Sequence, residues 1–359
     1  MRSEHLKNVL RVVVKLGTGV LTDRHKQPDP AQLEQLAGQI AALRQQGFQP
    51  VVVTSGAVGA GMGVLGRSRR PADLAELQAC AALGQSRLMA MYDEYFSRAG
   101  LYVAQVLLTH EDLADRERHL NARNTLVTLL ANDKVVPVIN ENDAVSVTEL
   151  KFGDNDKLSA LVATLLPADL LIILTTVDGV MENFGKPGAR TIPLIEKIDE
   201  SLENMAGGTR SETAVGGMRT KIQAAKIVMR SGIPLVIASG RKKGVLTNIL
   251  GGQGEGTLFL PQKERLASRK RWIAFFPHPK GALWVDDGAR KSLRSHGRSL
   301  LPAGITRCEG DFASGEVVRV CDLNGVEFAR GISRFSAEEV RSGSVHRQEV
   351  VHRDDLVII

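Results

Sequence analysis

The sequence predicts an α/β fold: a mostly parallel open sheet sandwiched by helices, followed by a small β-rich domain. Three observations carry this. Short apolar runs rich in β-branched residues alternate with longer segments of helical period. Those runs are continuous rather than alternating, as expected of strands buried on both faces. Near residue 260 the pattern changes to short strand-like stretches with glycine turns.

The elements follow in order. Val9–Leu16 is a β-branched run. Pro30–Arg44 has helical spacing at Leu33, Leu36, Ile40 and Leu43, behind a proline suited to a first turn. Pro50–Thr54 is a second strand, and Leu74–Ala99 reads as helix. Val103–Leu108 and Val135–Ile139 are strands on either side of a helix at Arg116–Asn132. Asp156–Leu166 is a helix stopped by Pro167, Leu170–Leu174 a strand, Met218–Ser231 a helix and Pro234–Ala238 a strand. The stretch 263–278 begins charged and without apolar period, and is expected to link a domain at 1–262 to one at 279–359. Beyond it, strands are expected at Ala282–Val285, Glu316–Val320 and Gly325–Ala329.

The bulk numbers fit two ordinary globular domains. The 359 residues are 43% hydrophobic and 24% charged, which excludes large-scale disorder. Aromatic residues make up only 4%, so the core rests on Val, Leu, Ile and Ala. A net charge of +6 suits an anionic ligand such as a nucleotide, and equally weak contact with nucleic acid. Cys80, Cys308 and Cys321 form no C-x-x-C pair, against a disulfide framework or zinc site and in favour of a reducing compartment. The first apolar run is interrupted by Arg11 and Lys15, too short for a secretory segment. No stretch approaches the ~20 apolar residues of a membrane helix. The expectation is a cytoplasmic protein that makes no membrane contact.

In open parallel sheets ligands bind beyond the carboxyl ends of the strands. Polar residues gather at those ends. Lys15 closes the first strand before Gly17-Thr18-Gly19, where backbone N–H groups and an ammonium can meet a phosphate. Thr54-Ser55-Gly56-Ala57 follows the second strand, and Gly59, Gly61 and Gly63 are read as letting the main chain approach a ligand. Asn140-Glu141-Asn142-Asp143 follows Val135–Ile139, with Asp143 able to pair with an ammonium group. Gly153-Asp154-Asn155-Asp156 opens a helix, and one of its aspartates is explained by capping alone. Gly216-Gly217-Met218-Arg219-Thr220-Lys221 leads glycines into a helix, a setting for an anion, with Lys221 about one turn in.

Two motifs mislead. Gly61-x-Gly63-x-x-Gly66 matches a dinucleotide fingerprint but starts well after its strand and lacks the later acidic residue. His352-Arg353-Asp354 echoes a protein-kinase loop, but only five residues follow it, too few for that loop's metal-binding partners. No P-loop occurs, and no His/Cys cluster has metal-ligand spacing.

Seven stretches in order resemble the glutamate 5-kinases of the amino acid kinase superfamily. They are VVVKLGTGVLT (Val12–Thr22), VVVTSGAVGAG (Val51–Gly61), QACAALGQSRLM (Gln78–Met89), DRERHLNARNTL (Asp115–Leu126), VVPVINENDAV (Val135–Val145), GDNDKLSALVA (Gly153–Ala163) and GGMRTKIQAA (Gly216–Ala225). The C-terminal part is similar to a PUA domain through VDDGA (Val285–Ala289), LLPAGI (Leu300–Ile305) and GDFASGEVVRV (Gly310–Val320). The resemblance implies an amino acid kinase-like fold. It also implies transfer of phosphoryl from ATP, taken with Mg²⁺ and no structural metal, to the side-chain carboxylate of L-glutamate, opening proline biosynthesis. Carried over, Lys15 and Lys221 neutralise the transferring group and Asp156 orients them. Ser55, Asp143 and Asn155 bind glutamate. ATP lies against Lys15, Thr175, Thr176 and the run Val215, Gly216, Gly217, Met218, Arg219, Thr220 and Lys221. Feedback inhibition by proline and a homo-oligomer, dimer or tetramer, are implied too. Two positions depart from the family pattern. Thr176 stands where an acidic residue is usual, and Ala214-Val215 replace a Gly-Thr type pair.

The chemistry asks for no general base, since a carboxylate with a pKa near about 4.3 is already ionised at neutral pH. Alternatives within the superfamily are aspartate, carbamate, acetylglutamate or UMP as acceptor. Asp143 with Asn155 favours an acceptor with a free α-ammonium group, against carbamate and acetylglutamate. A reading from another class gives the C-terminal domain an RNA-binding role. From Pro261 to Leu300 ten Lys/Arg face three acids, a run that a solvated charged face and linker explain more simply.

Overall fold

The computed structural model describes residues 2–23, 27–146, 155–207, 217–262, 266–346 and 348–359. The chain divides into two compact units, Met1–Asp112 with Glu117–Arg265 and Leu113–Arg116 with Leu266–Ile359.

Strands of the first unit are β1 (Arg11–Leu16), β2 (Gln49–Val53), β3 (Tyr102–Leu108), β4 (Val135–Glu141) and β5 (Leu170–Thr175). The short pieces β6 (Met181–Glu182), β7 (Arg190–Thr191) and β8 (Leu194–Ile195) precede β9 (Leu235–Ser239) and β10 (Thr257–Phe259). Its longer helices are α1 (Pro30–Gln45), α2 (Ala57–Val64), α3 (Leu74–Ser97), α4 (Arg116–Leu130), α5 (Asp156–Leu165) and α6 (Met218–Arg230).

The main sheet has eight strands in the order β3-β4-β2-β1-β5-β9-β10-β8. The first six run parallel. β10 then pairs antiparallel with β9, and β8 parallel with β10. The mostly parallel sheet expected from the continuous apolar runs is present, with a reversed edge.

β1 explains why the sheet has two covered faces. It is buried from Val12 to Leu16. Val12, Val14 and Leu16 share a core with Leu33, Leu36 and Ile40 of α1 and Leu88, Tyr92 and Phe96 of α3. Side chains alternate along a strand, so Val13 and Lys15 face the other side. There α5 packs on β1 and β5, and α6 on α5. Two of these helices start at side-chain caps. Asp29 accepts from Gln32 N ahead of Pro30, and Asp73 from Glu76 N. Each such cap contributes roughly 1 kcal/mol.

One stretch differs from expectation. The glycines after β2 are not a turn held open for a ligand; they form α2, with Gly56 at its N-cap at a φ of 100°. α2 and α3 approach closely. A Cβ at Gly61 would lie 1.8 Å from the Cys80 carbonyl oxygen, and one at Gly84 1.8 Å from that of Ala57. These glycines serve helix–helix contact. The other expected element ends of this unit shift by a residue or two.

The second unit is a five-stranded sheet of β11 (Gly281–Val285), β12 (Ile305–Gly310), β13 (Val317–Cys321), β14 (Glu327–Ile332) and β15 (Leu356–Ile358). Its order is β12-β11-β13-β14-β15. Helices α7 (Ser268–Phe275), α8 (Asp287–His296) and α9 (Ala337–Ser342) accompany it. Leu283, Val285, Leu293, Val318, Val320 and Phe328 form its core. The segment expected as a linker contains α7, whose Trp272, Ile273 and Ala274 are buried. Three cations in its first turn hide the period. Among the described residues no helix is long and apolar enough to cross a membrane.

Candidate active site

Lys15 stands at the carboxyl end of β1, opposite Val53 of β2 and Ile173 of β5. Asp156 is the first residue of α5, and Lys221 lies in the first turn of α6. The fold brings all three together. Lys15 Nζ donates to Asp156 Oδ1 at 2.6 Å, and Lys221 Nζ to Oδ2 at 3.0 Å. Asp156 is fully buried, and the lysines keep 3% and 6% of their surface. Charges taken from water at this depth need opposite partners. One carboxylate serves both ammonium groups, and the trio keeps one positive charge in excess. The Thr220 hydroxyl lies 2.9 Å from the same Oδ2 and 2.8 Å from the Gly217 carbonyl.

Space beside this trio is kept by glycine. A Cβ at Gly17 would sit 3.0 Å from the Leu174 carbonyl oxygen and 3.8 Å from Lys15 Nζ. Gly217 caps α6 without a side-chain bond. The N–H groups at its start are therefore offered to an anion.

A second cluster is built of amides. Asn155 Nδ2 donates to the Thr54 carbonyl at 2.6 Å and to Asn140 Oδ1 at 2.7 Å. Asn140 Nδ2 donates to Gln85 Oε1 at 2.8 Å. The Thr54 hydroxyl lies 2.8 Å from the Tyr92 hydroxyl. Burial pushes the Tyr92 phenol far above its ordinary range, the bond to Thr54 working the other way, so the ring stays neutral.

The remaining expected residues sit as follows. Ser55 is buried just beyond β2. Asp143 is half-buried in the turn after β4. Thr175 ends β5 opposite Ser239 of β9. Thr176 is exposed, and a Cβ at Gly19 would lie 3.0 Å from its methyl group. Gly217 and Met218 are half-buried and Arg219 is exposed. Val215 and Gly216 lie outside the described residues, as do Gly153 and Asp154. Among the described residues no group of three His, Cys, Asp or Glu is placed to hold a metal.

The amino acid kinase family model matches residues 10–239, and the PUA domain model residues 281–353. Over 374 aligned positions the chain is 50% identical to a glutamate 5-kinase of Geobacter sp. (strain M21), with all of both chains covered. The same identity and coverage hold for a glutamate 5-kinase of Citrifermentans bemidjiense. One from Caldanaerobacter subterraneus subsp. tengcongensis is 46% identical over 98% of each chain. The chain belongs to the glutamate 5-kinase family.

It has the amino acid kinase α/β fold with a C-terminal PUA domain. Four of the glutamate 5-kinase motifs quoted above meet at the sheet's carboxyl edge. VVVKLGTG carries β1 and Lys15, VVVTSG the end of β2, VVPVINEND β4 and its turn, and MRTK the start of α6. Lys15, Lys221 and Asp156, named together from the family likeness, are brought into contact by the fold, whereas the path from Asn155 through Asn140 to Gln85 was not anticipated. Asn140 stood inside a marked polar cluster. Gln85 lies within the quoted stretch QACAALGQSRLM, but nothing in its local spacing links it to a strand end.

Proposed function

We propose that the protein transfers the γ-phosphoryl group of ATP to the side-chain carboxylate of L-glutamate, giving L-glutamyl 5-phosphate and ADP, the first step of proline biosynthesis. The observation that carries this reading is the pair Lys15 and Lys221 held on one buried carboxylate, Asp156, at the strand ends.

The carboxylate oxygen of glutamate attacks the γ-phosphorus, and the bond to the oxygen bridging to ADP breaks. No proton has to be removed from the nucleophile. The difficulty is repulsion between an anion and an anionic phosphate. Lys15 and Lys221 offset it, and positioning supplies the rest. Asp156 keeps the lysines apart and oriented. Ser55, Asp143 and Asn155 hold glutamate. Thr175, Thr176 and the segment from Val215 to Lys221 hold ATP, with Mg²⁺ arriving as part of the MgATP substrate. Feedback inhibition by proline and a homo-oligomeric state are expected on the same reading. A cytoplasmic site of action is in keeping with the free Cys80, Cys308 and Cys321.

Full-length likeness to glutamate 5-kinases favours glutamate over aspartate or UMP as acceptor. The deciding assay is ADP release with MgATP and L-glutamate, D-glutamate, L-aspartate, N-acetylglutamate or UMP, with hydroxylamine to trap acyl phosphate. L-glutamate alone is expected to give hydroxamate, suppressed by proline. Turnover of another acceptor in its place overturns the substrate assignment and leaves the phosphate clamp standing. RNA binding through the PUA domain is a separate reading. Salt-sensitive binding of RNA by the full chain supports it, and no binding at low salt dismisses it.

A further inference from the structure

Asparagine is favoured at helix N-caps because its side chain accepts from N–H groups of the first turn. Asn155 occupies that position on α5 and makes no such bond. Its amide is engaged elsewhere. Both hydrogens of Nδ2 are taken, one by the Thr54 carbonyl at 2.6 Å and one by Asn140 Oδ1 at 2.7 Å. A backbone carbonyl can only accept. Turning the amide over would set its oxygen against two other oxygens. Asn155 Oδ1 is thereby left as an acceptor, with no bond to any described residue.

The direction of these bonds is fixed at the far end as well. Asn140 Oδ1 also accepts from Glu141 N at 3.0 Å, and Asn140 Nδ2 donates to Gln85 Oε1 at 2.8 Å. Gln85 lies on α3 with 9% of its surface exposed. Its own Nε2 is buried without a partner among the described residues. A buried N–H left unbonded works against stability. An apolar residue of similar volume would serve packing better, so the glutamine answers to something other than packing.

We propose that Gln85 is a positioning residue: through Asn140 it locks the Asn155 amide with its oxygen toward the amino-acid substrate, making that subsite a receptor for an ammonium group rather than a carboxylate. This rests on the reading of the protein as a glutamate kinase. Asn155 binds substrate; Gln85 acts only through it. The half-buried Asp143 supplies charge to the same ammonium group, and the Asn155 oxygen supplies direction.

The test compares L-glutamate with glutarate, which has both carboxylates and no ammonium group. Glutarate is followed as substrate or as competitive inhibitor. Gln85→Met and Gln85→Leu remove the acceptor for Asn140 while filling the space with different shapes, and each is checked for wild-type melting before assay. In a folded variant kcat/KM for L-glutamate is expected to fall about tenfold or more, the scale of one hydrogen bond to a charged group. Glutarate and the KM for ATP are expected to stay within about threefold, since neither uses that bond. Gln85→Glu keeps an acceptor oxygen and is expected to retain the preference for L-glutamate. A negative charge added there cannot lower preference for an ammonium-bearing substrate, so its loss in this variant counts against the proposal. Equal losses for L-glutamate and glutarate overturn the proposal and leave the kinase reading intact. A wild-type enzyme inert toward L-glutamate overturns the kinase reading itself.

Discussion

Lys15 and Asp156 are 141 residues apart in the chain, and their Nζ and Oδ1 atoms lie 2.6 Å apart. Lys221 takes the other oxygen of the same carboxylate. Lys15→Ala and Lys221→Ala are each expected to lower kcat by about 100-fold or more, the scale of losing one preorganised electrostatic stabiliser. Single-turnover ADP formation reads the effect. A loss below about tenfold in both variants removes the clamp from the mechanism.

Asp156→Asn keeps the shape of the side chain and removes its charge. Two buried ammonium groups then lose the carboxylate they share. Breaking a buried pair in this way costs about 3 kcal/mol or more. A clear fall in the urea midpoint of the variant is the expected result. A midpoint equal to that of the wild type would mean that solvent already compensates the lysines.

Gly61 and Gly84 offer a contrast with Gly38. An added methyl at either of the first two meets a backbone carbonyl oxygen at 1.8 Å, whereas at Gly38, inside α1, it meets nothing within 4 Å. Gly61→Ala and Gly84→Ala are expected to destabilise by about 3 kcal/mol, the upper end of ordinary overpacking. Gly38→Ala is expected to stabilise by about 0.5–1 kcal/mol through helix propensity. Melting temperatures moving in opposite directions check both at once.

Burial pushes the thiols of Cys308 and Cys321 above their ordinary range. The folded state therefore disfavours thiolate, while the unfolded chain does not. Stability from this source is present below the ordinary thiol pKa and declines as pH rises past it. Slow reaction with a thiol reagent in the native state, fast reaction in urea, and a lower urea midpoint at alkaline pH are expected.

The sequence was most legible where chemistry interrupts a pattern. Lys15 ends an otherwise apolar strand, and the polar residues behind β4 follow a buried run, so their position at the sheet's carboxyl edge was readable from alternation of runs alone. Residues that act through packing gave no such contrast. The glycines of α2 resemble loop glycines until α3 is seen against them. Trp272 and its neighbours in α7 follow a run of cations that masks the helix. Gln85 matters because of Asn140, 55 residues later, and no local spacing announces a bond of that length.

The long separations in the clamp also bear on how the enzyme is made. Lys15 must wait for Asp156, and Asp156 for Lys221, 65 residues further on. Contacts so distant in sequence carry a loop-closure cost that slows folding. A chain still being synthesised carries Lys15 long before the carboxylate that will orient it. On the proposed reading catalytic competence needs all three residues, so a chain that stops short of Lys221 has only part of the clamp.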